Sequence, residues 1–263
     1  MRIPLFHVNA FTNARFGGNP AAICLLDSWL DDRSIGKVAA ENNHSATAFL
    51  VPSGEDYDLR WFTSRRELKL CGHATLAAGF VLNRIVQPGV TKWQFSTRFH
   101  GTLTIESDEN SFLLEFPSFS ADPCTPRPEL WQALDLDPGS REILEANQTY
   151  IVVLESENEV RNFVPNFSWL EKLHPYVVCL TAKGHNSDFV SRFFAPSYGT
   201  PEDPVTGSVH CLLAPYWARR LDKALLHARQ LSDRGGELWC QVKRDKVALR
   251  GQAILTMQGS LEI

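Results

Sequence analysis

A glycine and a polar residue open an apolar, helix-like stretch twice in this chain. The first is Gly72-His73-Ala74-Thr75-Leu76-Ala77-Ala78, and Gly207-Ser208-Val209-His210-Cys211-Leu212-Leu213 follows half a chain length later. The repeat constrains the fold because both stretches sit among short strand-like segments. In the first half, residues 3–8 alternate apolar and polar, RFGGNP marks a turn, and 21–26 form an apolar run. Residues 31–42 carry Ile35, Val38 and Ala39 at helical spacing, behind acidic residues suited to a helix start. Residues 47–51, 57–62 and 67–70 read as strands and 73–82 as an apolar helix. Short antiparallel strands follow at 92–97, 102–106 and 112–116.

The stretch PSFSADPCTPRP at 117–128 carries four prolines, cannot easily continue a sheet, and is the candidate linker. Beyond it, 129–134 reads as a helix, 150–154, 177–181 and 189–194 as strands, and 209–221 as a long helix. Strands at 237–242, 246–250 and 253–263 complete the chain. The second half thus repeats the first in outline. Many strands with few helices predict an α+β architecture of two similar lobes, and 263 residues suffice for both.

Apolar residues make up 44% of the chain and charged residues 21%, the balance of a packed globular protein. A net charge of −4 with scattered Lys and Arg argues against a nucleic-acid partner. No apolar run reaches the ~18 residues of a membrane span, and MRIPLFHVNAF lacks the apolar core of a signal peptide, so a cytoplasmic location is expected. The six cysteines form no C-x-x-C pair and no zinc-ligand pattern, which predicts free thiols and no metal. No dinucleotide or phosphate-loop fingerprint occurs, and no cofactor is expected.

A helix start offers unpaired backbone N–H groups and partial positive charge, and a glycine lets a ligand approach them closely. Two such starts, at Gly72 and Gly207, could each hold a carboxylate or simply be capped helices. Seven motifs occur in an order that carries more weight: GGNPAA at 17–22, ENNHSATAF at 41–49, RWFT at 60–63, LCGHATLA at 70–77, RFFAP at 192–196, EDPVTGS at 202–208 and RGGEL at 234–238. Together they resemble the PhzF-like phenazine-biosynthesis isomerases of the diaminopimelate epimerase-like superfamily, across nearly the whole chain.

The resemblance implies two similar lobes, each a curved, mostly antiparallel sheet around a central helix. It implies an N-terminal lobe of residues 1–118 completed by the strand 251–263, and a C-terminal lobe of residues 124–250. It further implies a homodimer with an active site in the cleft between the lobes. There, a small organic acid undergoes proton transfer without a cofactor. His73, Asp203 and Ser208 match the family's polar active-site residues, while Asn19, Gly72 and Gly207 match substrate-contacting positions. His73 at a helix start is expected to be neutral.

One position departs from the pattern. Where the family has its catalytic glutamate the chain has Ala46, which cannot carry a proton. Losing a positioned acid/base typically costs about 10²–10⁴ in rate, so the proton shift should be impaired or altered. If the chain is extended after Asn43, His44 and Ala46 point to the same side, and His44 is a candidate substitute. Cys71 is another, at a point where racemases of the superfamily have a thiol base; a buried structural thiol is the alternative. Arg65 and Arg66 read either as a solvated turn or as a carboxylate-binding element. The expected protein is an isomerase-type enzyme with altered chemistry. The alternatives are a silent binding or regulatory protein, or an active isomerase engineered from Glu to Ala.

Overall fold

The computed structural model describes residues 1–263 and divides them into two compact units, Met1–Glu115 with Ala248–Ile263, and Phe116–Val247. In the first unit the elements are β1 (Arg2–Ala10), β2 (Asn19–Leu25), α1 (Asp32–Asn42), β3 (Ala46–Ser53), β4 (Asp56–Phe62), β5 (Glu67–Leu68) and α2 (Gly72–Val81). β6 (Lys92–Thr97), β7 (Gly101–Asp108) and β8 (Ser111–Pro117) follow. Neighbouring strands run β1–β2–β3–β4–β6–β7–β8, with β5 beside β4. The β2–β3 and β4–β6 joins are parallel and the others antiparallel. A parallel join needs a crossover. α1 supplies it for β2–β3 and α2 for β4–β6.

Strand alternation sends side chains to two faces. Ile3, Leu5, Ala22, Cys24, Phe49 and Val51 pack with Ile35, Val38 and Ala39 of α1. Asp31 caps that helix, accepting from Ser34 N at 3.0 Å and Ser34 Oγ at 2.7 Å, and Asn43 ends it in the left-handed conformation, φ 48°. The alternate residues Ala21, Ile23, Ala46 and Ala48 belong to the other face, toward α2. Being apolar all round, α2 must be covered on every side, and it packs on β1, β2, β3 and β7. Gly79 permits that closeness. A Cβ there would run into Ile105 Cδ1 of β7 and lie 3.2 Å from Cγ1.

The second unit repeats these joins. Its elements are β9 (Asp122–Pro123), α3 (Pro128–Leu134), β10 (Glu142–Ala146), β11 (Thr149–Val153), α4 (Glu157–Asn162), α5 (Phe167–Glu171), β12 (Val177–Lys183) and β13 (Phe189–Ala195). β14 (Thr200–Asp203), α6 (Gly207–Leu221), β15 (Leu225–Gln230) and β16 (Gly236–Val242) follow, and along β17 (Lys246–Gly251) the chain passes back to the first unit. Order β9–β10–β11–β12–β13–β15–β16 places parallel joins at β11–β12 and β13–β15, with β14 beside β13. The short helices α4 and α5 occupy the crossover that α1 makes in the first unit, and α6 the one that α2 makes. Each unit is therefore α+β, with a mostly antiparallel sheet and a central apolar helix.

One core of this unit joins Val178, Leu180, Val190 and Phe194 to Leu130, Leu134, Val160 and Leu170. On the α6 side, Phe189 stacks on Trp217 at 6.0 Å, and the Trp217 indole donates to Thr181 Oγ1 at 2.9 Å. Pro215 interrupts α6 and lacks the N–H that would bond Cys211 O. Phe119 N–H takes that carbonyl instead, at 3.2 Å. The proline-rich stretch is not purely a linker, because β9 pairs with β10 through Leu144↔Pro123 and Glu145↔Asp122. A strand with one neighbour tolerates proline, because an outward N–H would have no partner anyway.

The last strand, β18 (Ala253–Glu262), returns to the first unit and pairs antiparallel with β1, with an irregularity between His7 and Val8. No helix in the structure is long and apolar enough to cross a membrane.

Candidate functional site

In the first unit the residues singled out by sequence gather at the mouth of α2. Cys71 occupies the N-cap with extended backbone, φ −147° and ψ 99°, and makes no side-chain cap bond. Gly72 and His73 follow as the first helical residues. The organising group is Ser45, which the sequence reading passed over. Its hydroxyl lies 2.7 Å from Asn19 Oδ1, 2.8 Å from Pro20 O and 3.2 Å from His73 Nε2.

These distances fix a proton. Ser45 has one hydroxyl hydrogen and two carbonyl-type oxygens to receive it, so its lone pair accepts from Nε2–H of His73. Nδ1 is then the unprotonated nitrogen, and it faces Cys71 Sγ at 3.5 Å, where the thiol donates. Burial drives the pKa of His73 down to about 3, and His44 adds to the shift. His73 is therefore neutral, as the sequence reading expected, but desolvation is the leading cause. So weak a base is poorly suited to take up a proton, and Cys71 beside it is buried.

Ala46 and Asn19 have no exposed surface. Ala46 begins β3 opposite Ala21 of β2. The extended run assumed for His44 is not present: Asn43 is left-handed, His44 and Ser45 form a bend, and extended pairing begins only at Ala46. Period-two alternation therefore does not relate His44 to Ala46. His44 instead meets His7 edge-on, ring centroids 4.3 Å apart. His7 lies on β1, and burial lowers its pKa. Arg65 and Arg66 sit in an exposed turn whose N–H groups bond Thr63 Oγ1, at 3.1 Å each.

In the second unit the mouth of α6 is built from β14 and β15. Asp203 Oδ2 accepts from Thr206 Oγ1 at 2.5 Å. Gln230, almost wholly buried, donates from Nε2 to Asp203 O at 2.6 Å and accepts from Thr206 N at 2.8 Å. His210 Nδ1 must be protonated, because its partner at 2.8 Å is the Thr206 carbonyl. Burial holds this imidazole near 4, hence neutral. Arg192 grips Glu202 with two bonds of 2.7 and 2.9 Å, and Ser232 Oγ donates to Pro204 O at 2.7 Å. The loop before α6 is thus held at Glu202, Asp203, Pro204 and Thr206, with Gly207 buried and Ser208 exposed at the first turn. Thr206 and Gln230, like Ser45, were not anticipated. All lie in or near quoted motifs, but their roles depend on partners distant in the chain.

Residues 8–259 match the family model described as phenazine biosynthesis-like protein, PhzC-PhzF. The chain is 43% identical to an uncharacterised isomerase of Pseudomonas aeruginosa, with both sequences covered completely. It is 35% identical to a human phenazine biosynthesis-like domain-containing protein over 99% of each chain. Among solved structures, a PhzF-family phenazine biosynthesis protein of Enterococcus faecalis superposes with a TM-score of 0.94 at 39% identity, covering 100% of both chains.

Proposed function

Because the chain belongs to the phenazine biosynthesis-like PhzC-PhzF family, we propose that it binds a small organic acid at the mouth of α2. Proton transfer on that acid, without a cofactor, would be altered by the loss of the glutamate at position 46 and taken up by His44. The first-turn N–H groups at Gly72 and His73 receive the carboxylate. Asn19, oriented by Ser45, reads a further polar group of the ligand. In the second unit, Asp203 is the second acid/base group, and Ser208 offers a hydroxyl to a ligand.

One observation supports His44. Position 46 presents only a buried methyl, whereas His44 is near enough to His73 to depress its protonation and rests on a second imidazole, His7. His73 is too weak a base and Cys71 too well buried to take the role. The free state of all six cysteines fits a reducing, cytoplasmic setting.

The test begins with native mass spectrometry to identify a small acid retained by the purified protein. That acid is then incubated with the protein in D2O, and deuterium incorporation at carbon is followed. His44→Leu should slow incorporation by about 10²–10⁴. An unchanged rate in His44→Leu would refute His44. No incorporation by the parent protein or by Ala46→Glu, with ligand bound, would make this a binding protein instead.

A further inference from the structure

On the reading that the mouths of α2 and α6 take part in binding the ligand, we infer that two arginine–glutamate pairs are their positioning residues: Arg60–Glu67 in the first unit and Arg192–Glu202 in the second. Arg60 donates from Nε to Glu67 Oε1 at 2.7 Å and from Nη2 to Oε2 at 2.8 Å, and Arg192 makes the same fork with Glu202 at 2.7 and 2.9 Å. None of the four side chains is more than 20% exposed. Each guanidinium also lies 5.0 Å from the ring of the phenylalanine two residues on, Phe62 or Phe194.

The strand register is shared as well. Glu67 of β5 stands opposite Phe62 of β4, and Glu202 of β14 stands opposite Phe194 of β13. From arginine to glutamate the chain runs 7 residues in the first unit and 10 in the second. From glutamate to the N-cap, Cys71 or Thr206, it runs 4 in both. The spacing that is kept is thus the one between the ion pair and the helix mouth. A physical reason accompanies it. Neither N-cap side chain bonds its own helix, which leaves first-turn N–H groups for a ligand but removes the usual anchor of a helix start. β5 and β14, of two and four residues, supply few ladder bonds in its place. Two parallel charge-assisted bonds fix a carboxylate in both position and plane, so each fork supplies the missing anchor four residues upstream. Each arginine also reaches the helix of the neighbouring crossover. Arg60 Nη1 pairs with Asp32 Oδ1 at 2.8 Å in the first turn of α1, and Arg192 Nη1 donates to Val160 O at 3.3 Å and Phe163 O at 2.6 Å at the end of α4.

Amide hydrogen exchange reads each mouth separately, because Thr75 N–H bonds Cys71 O at 3.1 Å and Thr206 N–H bonds Gln230 Oε1 at 2.8 Å. Glu67→Gln should speed exchange at Thr75 by about tenfold or more and leave Thr206 at the parent rate; Glu202→Gln should do the reverse. Low urea should not change the accelerated rates, since the opening is local. Glu106→Gln, which breaks the exposed Lys92–Glu106 pair, should alter neither mouth. Sodium acetate, titrated against the Gly72 and His73 amide signals, should bind roughly threefold or more weaker in Glu67→Gln and unchanged in Glu202→Gln, because only the first loosens that seat. Equal acceleration at both mouths, or none at either, would overturn the positioning role. An acetate titration without response in the parent protein would overturn the carboxylate seat of the proposed function, and the exchange rates would still decide the role of the pairs. If a glutamine variant fails to fold, Arg60→Lys and Arg192→Lys, which keep the charge but lose the fork, are read in the same way.

Discussion

Gly18→Ala is the substitution whose cost the structure defines best, because two separable penalties meet there. Gly18 has φ +70°, in the left-handed region, where a Cβ costs about 1–2 kcal/mol. The added Cβ would also run into the Ala10 carbonyl oxygen and lie 2.6 Å from Thr12 Cγ2. The carbonyl belongs to β1 and cannot swing away, so an overpacking cost of about 1–3 kcal/mol is added. Gly54→Ala separates the two terms. Gly54 has φ +67° in the same unit, but nothing lies within 4 Å of its Cβ position. Any gain from a stiffer unfolded chain applies to both variants and cancels in the comparison. Gly18→Ala should therefore be less stable than Gly54→Ala by the contact term alone, which at about 2–4 °C per kcal/mol lowers the melting temperature by about 2–12 °C more. Thermal and urea unfolding of the two variants measure this directly. Because Asn19 follows Gly18, ligand affinity should fall in Gly18→Ala and not in Gly54→Ala. Equal stability of the two variants would refute the account of why GGN opens β2.

His73 and His210 make stability depend on acid. Their folded pKa values, about 3 and about 4, lie below the unfolded value near 6.5, so the unfolded chain binds more protons as pH falls below that value. Stability is then lost by about 1.4 kcal/mol per pH unit for each imidazole, down to its folded pKa. His210→Gln should flatten the pH dependence of the urea midpoint between pH 6 and 4, whatever it does to stability at pH 7; an unchanged slope would contradict the assignment. Gln230→Leu should strip the Thr206 N–H and the Asp203 carbonyl of their buried partners, costing about 1–3 kcal/mol. Hydrogen exchange at Thr206 should accelerate, and persistent protection would show that Gln230 does not hold the loop. Ala46→Glu should speed proton exchange on a bound acid beyond the parent rate while lowering the melting temperature, since a carboxyl group enters a position with no exposed surface. A variant both more stable and inactive would reverse both expectations.

The two helix mouths were legible because glycine followed by a polar residue before an apolar stretch is a local pattern. The hydroxyl of Ser45 was not, because its partners lie 26 residues before it and 28 after. Gln230 escaped for a similar reason: it supports Asp203 from 27 residues away, on β15, a strand that alternation did not reveal. Helices α4 and α5, of six and five residues, are too short for helical periodicity to register. Their start signals are still present: Ser156 accepts from Glu159 N at 3.2 Å and Asn166 from Trp169 N at 3.4 Å. Period-two reasoning about His44 failed at a particular residue. Asn43 enters the left-handed region to end α1, and the strand cannot start until the bend after it is complete.

The two mouths share a backbone plan but handle charge differently, and the N-cap residue explains much of the difference. Cys71 makes no cap bond through its side chain, so the polar work at α2 passes to His73 and Ser45, both neutral and tied to each other. Thr206 instead spends its hydroxyl on Asp203, so the N-cap of α6 positions a carboxylate. An alanine at position 46 fits the first arrangement. A carboxylate buried there would need a charged or strongly donating partner. The mouth of α2 offers an imidazole whose Nε2–H is already committed to Ser45 and whose pKa is too low to supply a cation. On the proposed reading a mobile proton in this unit is left to His44, which lies outside the Ser45–His73 hydrogen bond and beside His7.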